Sequence, residues 1–202
     1  MNVILLRHGE TEWSRAGRHT GRTDVPLTAR GEEQARALAR VVGDRAFALV
    51  LVSPAQRARR TAELAGVGRY EVDPDLWEWD YGGYEGVTTP EIRESRPGWY
   101  LWRDGVVPGD DAHPGESVDR VGERADKVVA RIGAAAPAQD GNRDGDGDVL
   151  IVAHGHFLRV LAARWLGLPA ADGRFFRLDT GTFSTLGHEH GEPVLLTWNA
   201  PV

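Results

Sequence analysis

Val3-Ile4-Leu5-Leu6-Arg7-His8-Gly9-Glu10-Thr11 is the stretch on which the reading of this chain turns. Four apolar residues stop abruptly at a cation, an imidazole and a glycine. A strand covered on both faces needs apolar side chains along its whole length, so polar groups can follow only where it leaves its covering layers. Arg7 and His8 are therefore placed at the rim of a sheet, and Gly9 allows close approach to the backbone there. Ligands of open α/β sheets bind outside the carboxyl ends of the strands, which makes this rim a candidate site.

Two further runs have the same character, Ala48 to Val52 and Val149 to Ala153. Helical periodicity lies between them, so the connections are long enough for crossovers and the sheet is expected to be largely parallel. The first helix is expected to start at Thr28 as N-cap, to carry an apolar stripe at Ala35, Leu38, Ala39 and Val42, and to stop at Gly43. Ser53-Pro54-Ala55-Gln56 reads as a capping box with proline at the first helical position, which brings Arg57 close to His8. Val118, Val121, Ala125, Val128, Val129 and Ile132 mark a third helix. Phe157, Leu158, Leu161, Ala162, Trp165 and Leu166 mark a fourth, ending before Gly167. Phe175 to Leu178, Thr182 to His188 and Val194 to Trp198 read as closing strands. The segment 82–115 lacks steady periodicity and is rich in glycine, proline and tryptophan, as expected of a lid-like insertion over the strand ends. Asp140 to Asp148 resembles a calcium loop but has Ile151 where a bidentate glutamate is required, so it reads as a solvated linker.

The chain has 202 residues, 41% of them hydrophobic, and is expected to form one domain over 1–202. A net charge of −6 argues against a nucleic-acid surface or an anionic membrane as partner. An anionic ligand must then meet a local cationic pocket. With no cysteine, disulfides and thiolate nucleophiles are excluded. No run reaches membrane-spanning length and Met1-Asn2 leads straight into the first strand, so the expected location is the cytoplasm. His188 and His190 alternate on a late strand but lack a third ligand, and no metal or cofactor is expected.

The chemistry emerges where strand ends meet. The third apolar run finishes Ala153-His154-Gly155-His156 and opens a helix, bringing His154 to the rim that holds His8, beside free amides at a helix N-terminus. Two histidines and the two arginines Arg7 and Arg57 thus converge. Guanidinium forks match phosphate oxygens, and imidazole can serve as nucleophile or donor. Each residue alone would fit an ordinary core or surface role; their convergence from three strand ends does not.

Arg7-His8-Gly9-Glu10-Thr11, then Gly21, Asp24 and Pro26-Leu27-Thr28, then Ser53-Pro54 with Arg57-Ala58 and Thr61-Ala62, then His154-Gly155, resemble the histidine phosphatase superfamily, in its phosphoglycerate mutase-like branch. The resemblance spans nearly the whole chain. It implies a three-layer α/β/α sandwich with a mostly parallel central sheet and a phosphohistidine intermediate. It makes His8 the nucleophile, Arg7, Arg57 and His154 the phosphate pocket, and Glu78 the proton donor. Glu10, Glu85 and Asp80 remain rivals of Glu78 on residue type alone. Backbone at Thr20-Gly21 and Gly155-His156 completes the implied site.

Trp13-Ser14, His19-Thr20-Gly21, Glu78 to Gly86, Trp102-Arg103-Asp104-Gly105 and Ala153 to His156 are similar to phosphatases of the sedoheptulose-1,7-bisphosphatase type, which act on sugar phosphates. Ser14, Tyr81 and Arg103 join the substrate-binding set on this basis. Trp79, Tyr81, Tyr84, Trp99 and Trp102 suit the walls of a sugar site as well as ordinary packing. The expected reaction is hydrolysis of a small phosphate ester without a metal, with an acidic optimum. A mutase and a non-catalytic phosphate-binding module are the alternatives.

Overall fold

The computed structural model describes residues 1–43, 45–135 and 147–202. Six strands, β1 (Val3–Arg7), β2 (Phe47–Val52), β3 (Glu71–Val72), β4 (Asp148–Ala153), β5 (Phe183–Glu189) and β6 (Glu192–Ala200), form one sheet in the order β3-β2-β4-β1-β5-β6. The β3/β2, β2/β4 and β4/β1 pairs are parallel, while β5 and β6 close the other edge antiparallel. The helices are α1 (Glu12–Arg15), α2 (Ala29–Ala37), α3 (Ala39–Val42), α4 (Gln56–Leu64), α5 (Thr89–Ser95), α6 (Leu101–Asp104), α7 (Val118–Ala135) and α8 (Gly155–Trp165). The chain is an α/β protein with a mixed, mostly parallel sheet. None of the described helices is long and apolar enough to cross a membrane.

Alternation along the strands separates two apolar layers. Val3, Leu5, Leu51, Val149 and Ile151 pack with α7, α8, Trp79, Trp99 and Trp102 on one face. Ile4, Leu6, Val52, Leu150 and Val152 pack with Leu38, Val42, Ala58 and Ala62 on the other. Both faces of the central strands are covered, which explains their unbroken apolar runs. The segment 82–115 contains a 3-10 turn at Gly82–Tyr84 together with α5 and α6, and its Ile92, Trp99, Leu101 and Trp102 belong to the first layer.

Helix α2 meets the residues after β1 through two facing glycines. A Cβ on Gly9 would lie 2.1 Å from the Gly31 carbonyl oxygen, and a Cβ on Gly31 would lie 2.1 Å from that of Glu10. Neither backbone can yield without displacing His8 or the helix start. Gly31→Ala is expected to cost about 3 kcal/mol, read in a thermal melt as a Tm lower by roughly 6–12 °C for a domain of this size.

The sequence-based expectations fail in four places. Helix α4 begins at Gln56 with Ala55 as N-cap, and Ser53 makes no capping box. Its hydroxyl bonds His154 instead, and Asp24 accepts from the Gln56 amide at 2.8 Å. The expected single helix from Thr28 to Gly43 is broken at Leu38 into α2 and α3. Phe175 to Leu178 is no strand: a 3-10 segment occupies Ala170–Phe175, and Leu178 presents its carbonyl to Arg7. His190 sits with a positive φ of 53° in the turn after β5, so it does not share a strand face with His188. The calcium-loop-like run falls outside the described residues except for Gly147 and Asp148, the latter opening β4.

Candidate active site

The sheet register builds the centre of the site. Strands β1 and β4 are parallel neighbours with Arg7 opposite Ala153, so the next residue on each, His8 and His154, emerges at the same level. Their ring centroids lie 5.1 Å apart. His8 is almost fully buried, and its Nδ1 lies 2.7 Å from the Gly9 carbonyl oxygen. A carbonyl only accepts, so Nδ1 carries the proton and Nε2 keeps a free lone pair. Burial above all, then the charges of Arg57 and Arg7, hold the His8 pKa well below its ordinary value. The ring is neutral, with an unshared lone pair on Nε2.

His154 is fixed as firmly. Arg57 Nε donates to its Nδ1 at 3.2 Å, so that nitrogen is unprotonated and Nε2–H donates to Ser53 Oγ at 2.7 Å. Burial first, with Arg57 next, pushes its pKa far down as well. Ser53→Ala would leave a buried N–H without its partner. It is expected to cost about 1–3 kcal/mol, visible as a lower denaturant midpoint with an unchanged m-value.

Arg57 is fully buried and every nitrogen of its guanidinium is engaged. Beyond His154, it donates to the carbonyls of Thr23 at 3.0 Å, Gly21 at 2.8 Å and Thr20 at 3.4 Å. Glu85 takes the amides of the same loop, Gly21 at 2.9 Å and Thr23 at 3.1 Å. Residues 20–23 are thus strung between a cation that holds their carbonyls and an anion that holds their amides. A Cβ on Gly21 would lie 2.6 Å from the Trp79 carbonyl oxygen, which is why the loop can pass here.

Arg7 differs. Its Nη1 donates to the Leu178 carbonyl, but its buried Nε has no partner. Gly155 makes room for this guanidinium, since a Cβ there would stand 3.0 Å from its Cζ. A buried donor left open in an otherwise satisfied site is a place for an acceptor on a ligand. Glu78 faces the same space, with Oε1 accepting from the Trp79 and Phe157 amides at 2.9 and 2.8 Å and Oε2 from the His156 amide at 3.0 Å. The amide of His156 is therefore taken by Glu78, against the expectation that it would serve a ligand directly. Tyr81 OH lies 2.6 Å from His156 Nδ1, and burial, then the nearby Glu78, raises the phenol pKa so that it stays protonated.

These groups line a cleft of about 250 Å³, at the small end for small-molecule sites. Among a run of residues from β1, the 14–20 loop and α8, an imidazole with a free lone pair stands beside an open guanidinium and a carboxylate. The sequence pattern of the histidine phosphatase superfamily (branch 1) matches residues 3–201. The chain belongs to that superfamily.

This histidine phosphatase is 45% identical over 191 residues to an acid phosphatase of Mycobacterium tuberculosis, covering 94% of this chain and 87% of that protein. It is 37% identical to the sedoheptulose 1,7-bisphosphatase of Saccharomyces cerevisiae, over 82% of this chain and 67% of the yeast protein. A solved Mycobacterium tuberculosis open-reading-frame structure superposes with a TM-score of 0.87 at 42% identity, covering 99% of this chain and 97% of that one. The protein is a phosphatase with a phosphoglycerate mutase-like fold.

Within the phosphatase cleft the structure brings together Arg7, His8, Ser14, Thr20, Glu78, Tyr81, Gly155 and His156. Ser14 Oγ, however, is engaged in the α1 capping box with Thr11. Arg57, His154 and Gly21 stand behind the lining, as described. Arg103 is away from it, exposed on α6 and bound to Asp104 and the Gly98 carbonyl. Of the five aromatics considered as sugar walls, Tyr81 alone lines the cleft, and Trp79, Tyr84, Trp99 and Trp102 are core. The rivals of Glu78 do not line the cleft: Glu10 accepts from Thr28, Asp80 from Arg22 and Gly82, and Glu85 from the 20–23 loop. Sequence reasoning missed Arg18, Thr89 and Arg159, which also line the cleft. Arg159 had a signal, as the one charged residue inside the apolar run from Phe157 to Ala163. No group of three or more metal-ligating side chains occurs among the described residues.

Proposed function

We propose that this phosphatase hydrolyses a sugar phosphate or sugar bisphosphate through a phosphohistidine on His8, without a metal. The observation that carries this reading is the free lone pair of His8 Nε2 beside the unpartnered Nε of Arg7. Nε2 attacks phosphorus in line, the P–O bond to the leaving alcohol breaks, and the transferred oxygens meet Arg7 while Arg57 stabilises them by its charge from behind His154. Glu78 enters the cycle as the carboxylic acid and gives its proton to the departing alkoxide across the cleft it lines, becoming the carboxylate. The same carboxylate then deprotonates water, whose oxygen attacks phosphohistidine and releases inorganic phosphate and neutral His8. The depressed pKa of His8 keeps Nε2 unprotonated well into the acid range, which supports activity on that side of neutrality.

The test is phosphate release in EDTA from sugar mono- and bisphosphates, 3-phosphoglycerate and an aryl phosphate, with the quenched enzyme analysed for base-stable, acid-labile phosphate. Turnover in EDTA with a labelled histidine supports the reading. Label on a different side chain, or turnover that needs added metal, overturns it. Transfer of phosphate between substrate positions in place of release would give the mutase alternative.

A further inference from the structure

Among the described residues, His190 and Asn199 are the two other than glycine with a positive φ, each at 53°. His190 shares the hairpin turn between β5 and β6 with Gly191, and a two-residue turn of that kind calls for positive φ at both positions. Asn199 lies inside β6, where a strand gives no such local reason. From its contacts we infer that Asn199 is a positioning residue for phosphate binding, clamping the 178–182 loop on which the Arg7 guanidinium rests. This deepens the reading above and rests on its assignment of Arg7 to the transferred phosphoryl oxygens.

The β5/β6 register brings Asn199 to that loop. Phe183 pairs with Ala200 and Thr185 with Thr197, so Trp198 and Asn199 together stand opposite the single residue Ser184. A bulge of this kind re-aims a side chain out of the ladder. The Asn199 amide stays satisfied, donating to Ser184 Oγ at 3.0 Å. Asparagine tolerates the left-handed backbone better than most side chains, and its carboxamide offers an acceptor and a donor at once. Oδ1 accepts from the Asp179 amide at 2.7 Å and lies 3.0 Å from the Thr182 hydroxyl, while Nδ2 donates to Asp179 Oδ2 at 2.9 Å. The other bulge residue, Trp198, donates its indole N–H to the Arg177 carbonyl and packs on Phe176.

The clamped loop touches Arg7 and His8 directly. The Arg7 amide donates to the Thr182 carbonyl at 3.1 Å, and the Gly181 amide donates to the His8 carbonyl at 3.0 Å. Leu178, next in the chain to Asp179, supplies the one carbonyl that the Arg7 guanidinium reaches among the described residues. Where that carbonyl is held therefore decides where the open Nε of Arg7 points.

The experiment is a double-mutant cycle with Asn199→Gly, Arg7→Ala and the two combined, read as kcat/KM for an aryl phosphate and as inhibition by inorganic phosphate. Glycine keeps the positive φ and removes the clamp. Alone, Asn199→Gly should lower kcat/KM about tenfold or more and weaken inhibition by phosphate in parallel. On top of Arg7→Ala it should change either quantity by less than about twofold. An equal loss in both backgrounds overturns the clamp, because a general loosening of the fold does not act through Arg7. An Asn199→Gly enzyme that matches wild type overturns it too. An Arg7→Ala enzyme as active as wild type overturns the reading of Arg7 itself and the clamp with it, so the two failures are distinguishable. Neither readout depends on which side chain carries the phosphoryl group. If Asn199→Gly melts below the assay temperature, an exchange of the two partners decides. Asn199→Asp sets two carboxylates side by side and should cost about tenfold in kcat/KM, and adding Asp179→Asn restores a donor–acceptor pair and should bring the rate back to within about threefold of wild type. No recovery overturns the inference.

Discussion

On the proposed phosphohistidine route, replacing His8 with alanine will reduce phosphate release from every ester by about 10⁴-fold or more, because that route then has no acceptor for the phosphoryl group. Neither histidine of the β4–α8 turn is placed to stand in. His154 lies 5.1 Å away, but both of its ring nitrogens are engaged, with Arg57 and with Ser53. His156 has Tyr81 on Nδ1 and is the second residue of α8. Glu78 and the remaining carboxylates are held by amides or cations. The imidazole's one hydrogen bond is local, to Gly9, so its removal leaves the ladder of β1 and β4 untouched. Steady-state assays should therefore show lost kcat alongside a cooperative melt. Residual activity above about one per cent of wild type in a folded variant would remove His8 from the nucleophile's role.

The same buried rings set an acid limit on the fold. His8, His154 and His156 are each held well below the usual histidine pKa, in every case chiefly by burial. The unfolded chain takes up protons at these positions as pH falls through about 6.5, and the folded chain does not. Their contribution is thus fully present above about pH 6.5 and is lost progressively below it, toward the depressed folded values. Each ring should remove about 1 kcal/mol between pH 6.5 and 5.5, or about 3 kcal/mol together. Lowered carboxylates such as Asp104, at about 2, act in a separate window below about pH 4. Urea titrations at pH 7.5, 6.5 and 5.5 would show the loss, and His8→Ala should lose about a third less. A flat profile over that range would contradict the neutral histidine cluster. Initial rates should outlast stability on the acid side, since the depression that destabilises the fold also keeps Nε2 of His8 free.

Much of this molecule is legible in the sequence where information is local. Runs such as Val3 to Leu6 and Val149 to Ala153 report burial on two faces, and the polar residues that end them report the rim. The stripes of α7 and α8 report the layer beneath. What the sequence hides is competition between distant partners. Ser53 satisfies a helix-cap pattern, yet His154 claims its hydroxyl from the neighbouring strand. Leu178 sits in a strand-like stretch, yet its carbonyl is recruited by Arg7. Arg103 and Arg159 look alike as isolated cations. Only packing shows that Arg103 has a neighbouring aspartate on the surface, while Arg159 stacks on Trp102 at the cleft. Aromatic residues mislead for the same reason, because a tryptophan reads alike in a wall and in a core.

The pairing of Arg7 with Ala153 has a consequence for how such a scaffold can be re-engineered. The spacing between His8 and His154 is inherited from a hydrogen-bond ladder, which shifts only in whole residues and would turn every side chain to the opposite face if it slipped by one. Reaction geometry is therefore digital, whereas the walls contributed by residues 14–20, Thr89 and Arg159 are adjustable one side chain at a time. A designer could rewrite ligand preference across those walls without retuning the chemistry, and a library confined to them should yield new specificities at a constant mechanism.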